Sequence, residues 1–228
     1  MFKRVFPPAL LFVHALTFVR STSAQTMFST RFGAANTNVA IGVVNGRVSI
    51  VEQRTSDGAC ETQQISTGNK LTNFVRFFAG NGKNRVRAAS PSWPASLCGQ
   101  SITAPVPGFN VFVDAGAGDD IVVATPLITA DGGDNNDTLV GDGMWFKLNG
   151  GSGNDWVIQT SDVGAVGELD GNGGSDHLCD LGDGSNMFGG SGTDYTWNAI
   201  IKNSVENNMP SGDDCSSVAL AVVLTQPF

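Results

Sequence analysis

The chain has 228 residues, 29 of them Gly, and a formal net charge of -8. That length holds one or two domains with a sizeable core. The acidic balance argues against nucleic acid as a partner, and after residue 24 no segment is long and apolar enough to cross a membrane.

Residues 1–24 read as a secretory signal peptide. Lys3 and Arg4 make a basic start, and an apolar stretch runs from Val5 to Val19. Ser21-Thr22-Ser23-Ala24 then offers small residues for cleavage before Gln25. The apolar stretch is short for an anchor, and Pro7, Pro8 and His14 interrupt it. Cleavage removes three of the 13 basic residues and none of the 21 acidic ones, so the net charge falls from -8 to -11. The expected location is extracellular.

Residues 25–109 form an N-terminal β region, read as the start of a solenoid. Apolar residues alternate in Val39-Ala40-Ile41-Gly42-Val43 and Arg47-Val48-Ser49-Ile50-Val51, with Asn45-Gly46 as a tight turn between them. This half carries eight basic and three acidic residues. Four cysteines follow residue 24: Cys60, Cys98, Cys179 and Cys215. In a secreted chain an even count predicts two disulfides. Three pairings are open, and local loop closure favours Cys60–Cys98 with Cys179–Cys215. The spacing fits no zinc site, because there is no CxxC and His177 is the one histidine after the signal.

Residues 110–200 carry five copies of one Gly/Asp loop, beginning at Ala115, Gly132, Gly150, Gly171 and Gly189. The sixth position is Asp120, Asp137, Asp155, Asp176 and Asp194, at steps of 17, 18, 21 and 18 residues. A fixed period with a repeated turn predicts stacked coils of about 18 residues. An earlier copy begins at Ala79, with Asn84 at the carboxylate position, 36 residues before Asp120. That interval is two periods and predicts one coil without the motif, holding Pro91 to Pro105. Ser211-Gly212-Asp213-Asp214 reads as a decayed final copy. The fold class is therefore all-β, a parallel β-roll or β-solenoid with degenerate end caps. Residues 201–228 form the C-terminal cap. The run Val218 to Leu224 is short and rich in β-branched residues, and reads as a strand.

Stacking places the sixth-position carboxylates in a column. Rungs of a sheet lie about 4.8 Å apart. At an effective dielectric near 20, two carboxylates at that distance repel by roughly 3–4 kcal/mol. A divalent cation between neighbouring loops reverses the sign of that term. Oxygen ligands from carboxylates and loop carbonyls suit Ca2+. The competing reading is a metal-free stack in which Asp and Asn cap turns.

These loops resemble the glycine-rich nonapeptide repeats, GGxGxDxUx, of hemolysin-type (repeats-in-toxin, RTX) calcium-binding proteins. The resemblance covers roughly Ala115 to Thr196. It implies a parallel β-roll with calcium between successive turns. Carried onto this chain, the metal-binding residues are Asp120, Asp137, Asp155, Asp176 and Asp194, with Gly118, Asn135, Gly153, Gly174 and Gly192 at the carbonyl-donor position. Asn135 and Asn172 stand where the pattern has Gly, and each coil holds one motif where the family has two. One column of sites is therefore expected.

The eighth loop position is Val122, Leu139, Val157, Leu178 and Thr196, and alternation points it inward. The seventh (Ile121, Thr138, Trp156, His177, Tyr195) and ninth (Val123, Val140, Ile158, Cys179, Trp197) then form an apolar, aromatic outer face. That face is either a platform for a polysaccharide or protein partner, or is covered by the chain's own C-terminal segment pinned through Cys179. Apolar patches of this size favour covering. No GxSxG, HExxH or P-loop pattern occurs, and no catalytic residue is assigned. The alternative is a calcium-dependent polysaccharide lyase or epimerase, with Lys147, His177 and Tyr195 as proton-transfer candidates. The primary expectation is a secreted calcium-binding structural or interaction module.

Overall fold

The computed structural model describes residues 26–66, 68, 75–89, 95–104, 111–124, 128–141, 147–160, 167–182, 185–197, 199–203, 207–208 and 215–224. The signal segment, the Ser211-Gly212-Asp213-Asp214 copy and part of the Pro91–Pro105 stretch lie outside them.

The N-terminal region contributes β1 (Thr26–Ser29), β2 (Thr37–Val44), β3 (Arg47–Arg54), β4 (Cys60–Gln64), β5 (Val75–Phe78), β6 (Asn84–Ala88), β7 (Ala95–Leu97) and β8 (Gln100–Ile102). The repeats contribute β9 (Val111–Asp114), β10 (Ile121–Ala124), β11 (Ile128–Asp134), β12 (Thr138–Gly141), β13 (Lys147–Ser152), β14 (Trp156–Gln159), β15 (Glu168–Gly173), β16 (His177–Asp180), β17 (Ser185–Ser191) and β18 (Tyr195–Trp197). β19 (Ala199–Asn203), β20 (Asn207–Asn208) and the helix α1 (Cys215–Leu224) follow.

From β9 onward the chain alternates between two sheets, and each strand pairs in parallel with its equivalent one repeat later. One sheet has eight strands in the order β1-β5-β9-β11-β13-β15-β17-β19. The other has ten, β20-β18-β16-β14-β12-β10-β6-β2-β3-β4, in which β2 joins β6 in parallel while the β2–β3 and β3–β4 pairs are antiparallel. The register is strict. Val122, Leu139, Val157, Leu178 and Thr196 align across β10 to β18. All five are at most 2 % exposed, as alternation requires of an inward column. The four apolar members join Val113, Ala130, Leu148, Leu169 and Met187 from the opposite sheet in one core cluster.

The 36-residue interval is not an extra coil. β5 pairs directly with β9, and β6 directly with β10. Between them the chain leaves the stack as the antiparallel hairpin β7–β8. Its Ala95, Leu97 and Ile102 cover Ala40, Val44, Val51 and Ala89 outside the ten-stranded sheet. The Cys60–Cys98 disulfide ties the hairpin to β4. Asn45 and Gly46 form the β2–β3 turn with φ of 50° and 74°, the left-handed pair that a two-residue hairpin needs.

The C-terminal run is a helix, not the expected strand. Cys179–Cys215 places its start on the outer face of β16. A sheet's face presents side chains and no backbone partners, so this segment must satisfy its own N–H and C=O groups. A helix does so. Cys215, Ala219 and Val222, at helical spacing, pack on Val123, Val140, Ile158 and Cys179. The ninth-position column is thus covered by the chain itself, while Trp197 stays 47 % exposed. Among the described residues no helix is long and apolar enough to cross a membrane.

Candidate metal centre

Asp120, Asp137, Asp155, Asp176 and Asp194 each stand one residue before an even-numbered strand, from β10 to β18. The parallel register of those strands aligns them in one column, at most 1 % exposed. A ladder of hydrogen bonds joins them. Asn84 N–H donates to Asp120 Oδ1 at 2.6 Å, and Asp120 N–H to Asp137 Oδ1 at 2.8 Å. Asp137, Asp155 and Asp176 donate in turn to Oδ1 of Asp155, Asp176 and Asp194 at 2.8, 2.9 and 3.0 Å. Thr37 Oγ1 forms the foot of the ladder, donating to Asn84 Oδ1 at 2.7 Å. No residue spacing announced this ladder, because it links backbone to side chain across rungs.

The second carboxylate oxygen is treated differently. Oδ2 of Asp120, Asp137, Asp155 and Asp176 is buried and has no hydrogen-bond partner among the described residues. At Asp137, Asp155 and Asp176 it turns back toward the first residue of its own loop. A Cβ on Gly132, Gly150 or Gly171 would overlap Oδ2 of Asp137, Asp155 or Asp176. The carbonyl oxygen of the next loop's first residue closes on the same place, Gly150 O beside Gly132 and Gly189 O beside Gly171. At Gly132 and Gly171 two oxygens therefore close on the place a side chain would take.

The loop backbone is shaped to allow this. Gly118, Gly153, Gly174 and Gly192 have φ of 131°, 144°, 139° and 132°. Asn135 fills the same position at 82°, and Asn172 replaces a second-position Gly at 68°. Asn is the residue that best tolerates this region after Gly. The fourth-position carbonyls point along the stack: those of Asn135, Gly153 and Gly174 occupy the space that a Cβ on Gly153, Gly174 and Gly192 would need. At Gly153, Gly174 and Gly192 glycine is thus favoured twice, for its φ and for the carbonyl of the preceding rung.

Burial pushes the column's acidities up. Removal from water raises Asp120 to about 7, Asp137 to about 8, Asp155 to about 6 and Asp176 to about 7. Neighbouring carboxylates add to the rise at Asp120, Asp137 and Asp176. The N–H bonds to Oδ1 oppose it without cancelling it.

The residues present suit a hard cation. At Asp120, Asp137, Asp155 and Asp176 one buried carboxylate oxygen has no hydrogen-bond partner among the described residues, and a loop carbonyl oxygen lies close by at Asp137 and Asp176. No three His, Cys, Asp or Glu side chains among the described residues group closely enough to hold a metal by themselves. Backbone carbonyls would have to complete the shell.

The other candidates do not converge. Lys147 lies in β13 of the eight-stranded sheet, bonded to Glu168 at 2.6 Å and 3.8 Å from Asp170. His177 and Tyr195 lie in the other sheet. There Trp156 and His177 stack at 4.3 Å, and His177 and Tyr195 at 5.2 Å. His177 is thus sandwiched between the rings of Trp156 and Tyr195. A further buried polar group escaped the sequence reading: Ser185 Oγ donates to Asp180 Oδ2 at 2.5 Å and touches Gln159. Comparison with family models, characterised proteins and solved structures finds no match for this chain.

Proposed function

We propose that this protein is a secreted calcium-binding β-solenoid of the repeats-in-toxin type, acting as a structural or interaction module. The observation that carries this reading is the buried Oδ2 without a partner among the described residues, repeated at Asp120, Asp137, Asp155 and Asp176, with a loop carbonyl oxygen close by at Asp137 and Asp176. An uncompensated buried carboxylate is costly, and four in successive rungs would burden the fold heavily. Asp120, Asp137, Asp155, Asp176 and Asp194 would hold the ions, with carbonyls of the first and fourth loop positions. Bound calcium would supply positive charge between rungs whose carboxylates otherwise repel. The alternating strand order supports the solenoid, and two disulfides fit an oxidising, extracellular setting.

The test is calcium titration of the folded protein by calorimetry, with thermal unfolding followed by circular dichroism in calcium and in EGTA. Uptake of several ions per chain and a higher unfolding midpoint in calcium are expected. No heat of binding and superimposable melts would overturn the reading.

A further inference from the structure

Asn84 occupies the sixth position of the loop that precedes the aspartate column, and β6 stacks directly on β10. It is 1 % exposed, as buried as the aspartates. Its Oδ1 and N–H take the same places in the ladder, accepting from Thr37 and donating to Asp120. Its second polar atom is an amide nitrogen. That nitrogen donates to Gly82 O at 2.7 Å and Ala115 O at 3.3 Å, with Gly80 O at 3.5 Å.

These acceptors identify what the sixth-position side chain faces. Ala115 is the first residue of the next loop, the counterpart of Gly150 beside Asp137 and of Gly189 beside Asp176. At Asn84 the place is lined by carbonyls and filled by an N–H donor. At Asp137 and Asp176 a carboxylate oxygen and the same kind of carbonyl oxygen both close on the loop's first glycine, and two such oxygens brought together repel unless something positive lies between.

We infer that Asn84 is a built-in substitute for a cation: its amide satisfies the loop that a metal ion satisfies elsewhere, and so ends the calcium column at that rung. This rests on the calcium reading of the aspartates. It gives the column a defined first site and explains how the stack passes into the less acidic N-terminal region without a metal. Asn84 also fixes the chemistry of exchange. Aspartate at this position should open a site, and asparagine in the column should close one while supplying the donor that the metal-free loop lacks.

Two substitutions test it, Asn84→Asp and Asp155→Asn, each measured by calcium calorimetry and by thermal unfolding in EGTA. Asn84→Asp is expected to take up one more calcium per chain than the natural protein and to melt lower in EGTA. Asp155→Asn is expected to take up fewer ions, to melt higher in EGTA, and to gain less from calcium. If Asn84→Asp folds only with calcium present, the inference is supported. If it fails to fold under both conditions, the EGTA midpoint of Asp155→Asn decides: above the natural protein supports the inference, at or below it overturns it. A natural protein that binds calcium while Asn84→Asp gains no site refutes the role of Asn84 and leaves the calcium reading standing. A natural protein that binds none defeats the calcium reading itself.

Discussion

Glu52 and Asp155 are both buried carboxylates with no measurable exposure, one in the N-terminal antiparallel region and one in the repeats. Glu52 is fully served by its surroundings. Gln63 Nε2 donates to Oε1 at 2.5 Å, while Thr30 Oγ1 and Arg31 N–H donate to Oε2 at 2.5 and 3.1 Å. Asp155 receives a single N–H at Oδ1, and its Oδ2 receives none among the described residues. The N-terminal region closes its polar accounts internally. In the repeats Oδ2 of Asp120, Asp137, Asp155 and Asp176 has no hydrogen-bond partner among the described residues, so on the proposed calcium reading the two regions should answer differently to mutation, metal and pH.

The largest effect is expected at the stacked glycines. In Gly174→Val the new side chain meets the carbonyl of Gly153 at a φ of 139°. A loss above about 4 kcal/mol is expected, read as failure to yield a cooperatively melting protein. Soluble, normally melting G174V would show that the loops tolerate separation. Next in size is removal of Cys179–Cys215 by paired alanines, with a loss of about 2–4 kcal/mol. It should also raise ANS fluorescence, because α1 would leave Val140 and Ile158 uncovered. Glu52→Ala removes the buried acceptor shared by three donors and should cost about 1–3 kcal/mol in calcium and in EGTA alike. A calcium-dependent cost there would erase the contrast between the two regions.

A pH series sharpens the contrast further. The folded-state values of Asp120, Asp137, Asp155 and Asp176 lie at about 7, 8, 6 and 7, above their ordinary 3.8. The folded chain therefore binds protons more tightly than the unfolded one between those limits. The associated stability is fully present below about pH 4 and is lost as pH rises through about 6 to 8. In EGTA the unfolding midpoint should fall across that window, and saturating calcium should flatten the fall. A midpoint in EGTA that rises with pH would contradict the burial argument. The smallest effect belongs to Lys147→Ala, which breaks half-exposed ion pairs on the eight-stranded sheet. Less than about 0.5 kcal/mol is expected, with calcium uptake unchanged.

The repeat region was legible because its information is local. Gly or Asn at the turn positions and Asp at the sixth recur in each loop, with an apolar eighth in four of the five, and the left-handed φ at Asn135 and Asn172 follows the same pattern. Both disulfides were legible from loop closure. Two readings failed where local and non-local terms compete. The 36-residue interval matched two periods by length alone, yet Ala95, Leu97 and Ile102 bury themselves on the outer face instead of adding a rung. The Val218–Leu224 run has no periodicity that separates strand from helix, and its docking on a sheet face decided for the helix.

By itself the amino-acid order determined which residues turn, which alternate inward and which carry charge, because each depends on a side chain and its near neighbours in the chain. Tertiary structure alone decided which carboxylate oxygen is served and which is not. That distinction arises between rungs, where the N–H of one aspartate reaches Oδ1 of the next and leaves Oδ2 against carbonyls. It also gave Asn84 its meaning, since an amide reads as an ordinary turn residue until the oxygens around it are in place.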